Sequence, residues 1–117
     1  MAFTYTITHK EKYSLLTLKG RIIESNHADE MLADIQHHLY EARVNYVLML
    51  NDVESLQRSG LSVLIKLLAI TRMHGGNVVL TALPVNLQQT EDGKNLRLLF
   101  QISDNEYIAA ACLNNAA

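Results

Sequence analysis

The stretch from Tyr46 to Ala82 constrains this chain most. It opens on a continuous apolar run, Tyr46 to Leu50 (YVLML), and crosses a polar segment. It then passes through a nearly unbroken apolar stretch, breaks at Gly75-Gly76, and closes on Asn77 to Ala82 (NVVLTA). A strand that is apolar on both sides has no solvated face, which marks a central parallel strand. Two such strands joined by a helix make a βαβ unit, and such crossovers are right-handed. The pattern predicts a helix from Ser59 to about His74, stopped by the glycine pair. Its positions Leu61, Val63, Leu64, Ile65, Leu67 and Leu68 cover almost the whole circumference. Such a helix is either deeply buried, or packs one face on the sheet and offers another to a partner.

The flanking segments extend this unit. Phe3 to His9 (FTYTITH) alternates Phe3, Tyr5 and Ile7 with three threonines, the period of a strand. Tyr13 to Leu18 is a second strand, and Lys10 to Lys12 suits a hairpin turn. Asn26 is expected to cap a helix that runs to about Arg43. Its apolar positions are Ala28, Met31, Leu32, Ile35, Leu39 and Ala42. Pro84 opens a weaker helical stretch to about Asn95. Leu98 to Ile102 reads as an edge strand, and Asp104 to Asn114 as a final helix capped by Asp104. The expectation is one α/β domain over residues 1–117. It would have a mixed β-sheet of four to five strands packed with about four α-helices, in the order β-β-α-β-α-β-α-β-α.

Composition removes several functions. Ten basic against twelve acidic residues give a net charge of -2, so no excess exists to neutralise a phosphate backbone, and no nucleic-acid partner is expected. A lone cysteine, Cys112, fits a reducing compartment, and in its Ala-rich helix it is expected to be buried and inert. The start, MAFTYTITHK, has no signal-peptide core. The most apolar stretch, Leu61 to Ile70, is too short to cross a bilayer. The expected setting is therefore the cytoplasm. Metal ligation is not expected: His37 and His38 are adjacent and diverge by about 100° on a helix, and no HxxxH, HExxH or CxxC occurs. No nucleophile elbow, Walker loop or GxGxxG is present. The chain reads as a non-enzyme that needs no cofactor.

In an open α/β sheet, partners meet the loops beyond the carboxyl ends of the strands. That points to Asn51 to Leu61 (NDVESLQRSGL), read as a polar loop leading into the apolar helix. Ser59 is expected to be the N-cap, and Gly60 to permit close packing. Arg58 would set a fixed cation at the rim of a contact surface. Asp52 and Glu54 could pair as acids, but no third catalytic group lies at a fixed spacing from them.

Four stretches carry a family resemblance: TLKGRI (Thr17 to Ile22), YVLMLNDV (Tyr46 to Val53), SGLSVLIKLLAITRMHGGNVVLTAL (Ser59 to Leu83) and LLFQISDNEYIAA (Leu98 to Ala110). With the element order, they make the chain resemble the STAS domain of bacterial anti-sigma factor antagonists. The resemblance implies a non-catalytic module that docks an anti-sigma factor acting as a serine kinase. It places the contact on Asp52, Gln57, Arg58, Ser59, Gly60 and Leu61. The family's loop motif is Asp-Ser-Ser/Thr-Gly-Leu, whose first serine is phosphorylated by the partner to weaken binding. Here Gln57 stands at the aspartate and Arg58 at that serine; only Ser59, Gly60 and Leu61 match. Arg58 accepts no phosphate, so the usual switch is expected to be missing, with Ser59 a weaker acceptor. The alternative reading is an accessory subunit of a membrane transport ATPase, beside which STAS-like domains also occur. A sensor of small anionic ligands at the helix start ranks third.

Overall fold

The computed structural model describes residues 3–114. Strands β1 (Phe3–His9) and β2 (Ser14–Ile22) form an antiparallel hairpin in register from Phe3↔Gly20 to His9↔Ser14. Its turn is closed by the Lys10 N–H donating to the Tyr13 carbonyl at 2.8 Å. Helix α1 (Asn26–Tyr40) leads to β3 (Asn45–Leu56), then α2 (Arg58–Met73) and β4 (Asn77–Thr81). Two short helices, α3 (Val85–Gln88) and α4 (Glu91–Leu99), precede β5 (Gln101–Ser103) and α5 (Glu106–Asn114). The sheet order is β1-β2-β3-β4-β5, antiparallel at β1/β2 and parallel elsewhere.

The predicted βαβ unit is present, and the expected single α/β domain with a mixed sheet stands, with five strands and five helices among the described residues. Several expected boundaries move for local reasons. Ser25, not Asn26, caps α1: its Oγ accepts from the Ala28 N–H at 3.2 Å. Ala42 lies past α1 as an exposed residue with φ 69, not on its buried face. The weak stretch after Pro84 is two helices, because the Thr90 side chain restarts the chain by accepting from the Gly93 N–H. Residues Leu98 and Leu99 belong to α4, which leaves β5 only three residues. Asn105 rather than Asp104 caps α5, accepting from the Tyr107 and Ile108 N–H groups.

The largest revision concerns the polar segment after Leu50. It is not a loop; β3 continues to Leu56 and pairs with β2 through Lys19↔Asp52, Gly20↔Val53 and Ile22↔Leu56. Two register shifts insert extra residues into β3. They make Leu50, Val53 and Leu56 the buried positions, a spacing of three that hides the usual alternation.

Helices α1 and α2 pack on one sheet face over the main core, and α5 covers Val47 and Val79 on the other. Gly60, in the first turn of α2, sits against the end of β2: a Cβ there would lie 2.1 Å from the Ile22 carbonyl oxygen. Helix α2 ends as predicted at the glycine pair. Gly75 takes φ 84, and the Gly76 N–H reaches back to the Thr71 carbonyl at 3.1 Å.

Tyr46 is fully buried, and its hydroxyl has no hydrogen-bond partner among the described residues. Burial, with the Asp34 charge adding to it, pushes its pKa up to about 12. Tyr13, whose hydroxyl donates to Glu106, is also pushed up to about 12, chiefly by burial. Because each tyrosine ionises more easily in the unfolded chain, at the ordinary value of 10, the fold loses stability as pH rises from 10 toward 12, and below pH 10 nothing is lost.

Gly60→Ala costs about 1–3 kcal/mol by overpacking, and Leu61→Ala about 2–5 kcal/mol by cavity formation, both read from denaturant midpoints. Tyr46→Phe is neutral or slightly stabilising at pH 7, since it removes an unpaired buried hydroxyl. The same variant loses less stability than the parent between pH 10 and 12 in melting scans, and an unaltered alkaline profile would refute the assignment.

Candidate partner-docking site

Of the six predicted contact residues, one lies on the sheet, three open α2 and two are buried on its underside. Asp52 lies on β3, exposed, its carboxylate 3.8 Å from Lys19 Nζ across the bulged ladder. It belongs to the sheet face opposite α2, beside Thr4, Lys19 and Glu54 in an open depression. Gln57 and Arg58 are exposed at the start of α2. Gly60 and Leu61 are buried and hold α2 to the core; Leu61 is 8% exposed. The structure therefore brings Gln57, Arg58 and Ser59 together and sets Asp52 apart from them.

Ser59 is not the N-cap. The strand runs to Leu56 and the helix begins at Arg58, so Gln57 takes the capping position with φ -99 and ψ 178 and makes no side-chain cap bond. The Ser59 hydroxyl turns instead toward the β2–α1 connection and accepts from the Glu24 N–H at 3.2 Å. Glu24 in turn meets Lys66 on the next turns of α2, carboxylate to ammonium at 3.1 Å. Both members of that pair are more than half exposed, so it orders the site and contributes little stability. Neither Glu24 nor Lys66 stands out in the sequence, because each is an ordinary charged residue far from the other in the chain.

Helical spacing sorts α2 into two faces. Val63, Leu64, Leu67, Leu68 and Thr71 are buried on the sheet side. Arg58, Ser62, Ile65, Ala69 and Met73 fall on one outward stripe, with Ile65 40% and Met73 82% exposed. Of the two sequence alternatives, deep burial is overturned: one face is buried and another, partly apolar, faces solvent. Helix α2 carries Arg58, Lys66 and Arg72 and no acidic residue, in a chain whose net charge is -2. The site is thus a cationic stripe with apolar side chains set into it.

Elsewhere, Cys112 is half-buried rather than fully buried, and its Sγ accepts from Gln101 Nε2 at 3.0 Å. Among the described residues no helix is long and apolar enough to cross a membrane.

Comparison of the sequence with curated proteins finds no match. The anti-sigma factor antagonist SpoIIAA in its unphosphorylated form superposes with a TM-score of 0.73 at 9% identity, covering 97% of this chain and 100% of that one. The phosphorylated form, from Bacillus, gives 0.67 at 10% identity over 93% and 99% of the two chains. An anti-sigma factor antagonist from Mycobacterium paratuberculosis gives 0.71 at 18% identity over 96% and 94%. At these identities the likeness speaks for the fold. The sequence itself matches the family profile described as "Mlab, STAS domain" over residues 6–103, nearly the whole of the described structure. This chain belongs to the STAS domain family.

Proposed function

We propose that this chain is a non-catalytic regulatory module that docks another protein through the start and outward stripe of α2. The single observation that carries the proposal is the placement of Arg58. It is exposed, it is the first residue of α2, and it shares one stripe with Ile65, Ala69 and Met73. Gly60 and Leu61 act beneath it, fixing the angle of the helix. The partner class is a kinase-like anti-sigma factor or a related regulator, as the resemblance to anti-sigma factor antagonists implies. The chemistry of the stripe suits a partner surface with acidic residues around an apolar centre.

Phosphorylation of a serine replaces a neutral hydroxyl with about -1.5 to -2 charges. Arg58 holds the opposite sign permanently at that position. Docking here is therefore not turned off by a partner kinase at residue 58. Ser59 is a poor substitute acceptor, since the residue is half-buried and its hydroxyl is engaged by the Glu24 N–H. A constitutive dock also suits the second reading, an accessory subunit of a membrane transport ATPase. Asp52 contributes to either surface only for a partner that reaches around to the far sheet face.

The test uses a kinase-type anti-sigma factor from the same host, with ATP. Intact-mass spectrometry should show no phosphate on Gln57 to Ser59 of the parent and one phosphate on the Arg58→Ser variant. Arg58→Asp should weaken binding about tenfold or more, or about 1.4 kcal/mol, with the melting temperature unchanged. Stoichiometric phosphate on the parent segment, or an Arg58→Asp affinity equal to the parent's, would sink the proposal. If the anti-sigma factor does not bind but a host transport ATPase does, the second reading holds.

A further inference from the structure

Strand β1 is the long free edge of the sheet. Among the described residues it pairs on one side only, with β2, whereas the opposite edge, β5, has three residues. Natural sheets protect such edges with a lysine, a proline or a bulge. FTYTITH contains no proline and no Lys, Arg, Asp or Glu, and its register with β2 is unbroken from Phe3 to His9. The turn bond from the Lys10 N–H to the Tyr13 carbonyl sets the phase of the ladder. Hydrogen-bonded pairs recur at every second residue of an antiparallel ladder. Thr4, Thr6 and Thr8 therefore bond inward to β2, and the N–H and C=O groups of Phe3, Tyr5, Ile7 and His9 point outward.

These seven residues are their own complement. About a two-fold axis at Thr6, antiparallel pairing sets Phe3 opposite His9, Thr4 opposite Thr8, Tyr5 opposite Ile7, and Thr6 opposite itself. Outward-bonding residues then meet outward-bonding residues, giving about eight main-chain hydrogen bonds. The threonines fall at the closer, non-hydrogen-bonded positions. Thr–Thr and aromatic–β-branched cross-strand pairs are both favourable. Registers shifted by two residues keep the phase but leave residues unpaired.

We propose that this chain associates with a second copy through β1–β1 pairing, which makes one continuous sheet across the dyad. Helix α1 leaves room for it. The ring and hydrogen-bond contacts from α1 to β1 are made by His27, Asp34 and His38. They lie on the flank of the helix, about a quarter turn from its buried line Ala28, Met31, Ile35 and Leu39. The α1 axis is thus inboard of the edge. The carboxylates on that flank, Glu30, Asp34 and Glu41, each have a histidine of their own chain within ion-pair reach. Pairing of β1 with β5 of another copy would engage only three residues and would not close, so the two-fold form wins. Two seven-residue strands bury less than the about 1,000 Å² of stable interfaces, so the dimer is weak and concentration-dependent.

Sedimentation equilibrium from micromolar to millimolar chain should show the mass rising toward twice that of one chain. Thr6→Lys sets two ammonium groups opposite each other at an exposed position, and should hold the mass at the monomer value with an unchanged melting temperature. In a Cys112→Ala background with oxidised glutathione as oxidant, Thr6→Cys should close an intermolecular disulfide, because residues directly opposite at this kind of position have Cα atoms about 4.5 Å apart. Thr4→Cys alone should do so at least tenfold more slowly, while a mixture of Thr4→Cys and Thr8→Cys should link. A monomer mass throughout, dimerisation of Thr6→Lys equal to the parent's, or equal rates for Thr6→Cys and Thr4→Cys would each overturn the proposal.

Discussion

The contact between Gly60 and the Ile22 carbonyl fixes how α2 meets the sheet. A β-carbon at Gly60 would stand 2.1 Å from that oxygen and 2.9 Å from the Leu56 side chain. With hydrogen there instead, the helix start closes over the ends of β2 and β3. Leu61 and Leu64 then enter the core beside Ile22 and Leu56. Because buried residues fix one side of a helix, they also fix which residues are left on the other. Arg58 faces solvent because Leu67, half a turn away around the helix, faces the core.

The same close approach shapes the surroundings of the site. The β2–α1 connection passes near enough to α2 for the Glu24 N–H to engage Ser59 and for the Glu24 carboxylate to meet Lys66. A serine that spacing alone assigns to capping its own helix is spent on another segment. Thr90 and Ser25, by contrast, do cap the helices that follow them. The difference lies in what is nearby in space, not in the residue type.

The strands show the same division. The hairpin was legible because FTYTITH keeps a period of two and both its faces are regular. The second half of β3 was not. Two inserted residues turn its buried positions into Leu50, Val53 and Leu56, and NDVES reads as a polar loop. That moved Asp52 from the expected docking loop onto the far sheet face, beside Lys19. The stretch after Pro84 was hard for a related reason. Gly93 lies so close to the Leu87 carbonyl that a side chain would clash, and the chain folds back as two short helices rather than one.

By itself the sequence determined the α/β class, the central βαβ unit, the glycine stop of α2 and the presence at position 58 of a side chain that accepts no phosphate. Each depends on local periodicity, on backbone freedom or on which atoms a side chain carries. Only the tertiary structure decided that Leu61 belongs to the core while Arg58 stands clear, that Ser59 serves the β2–α1 connection, and that Asp52 lies across the sheet. Those outcomes depend on which strand ends and helix turns come within a few ångströms of one another. Such distances are set by bulges and close approaches between segments far apart in the chain, and no local pattern records them.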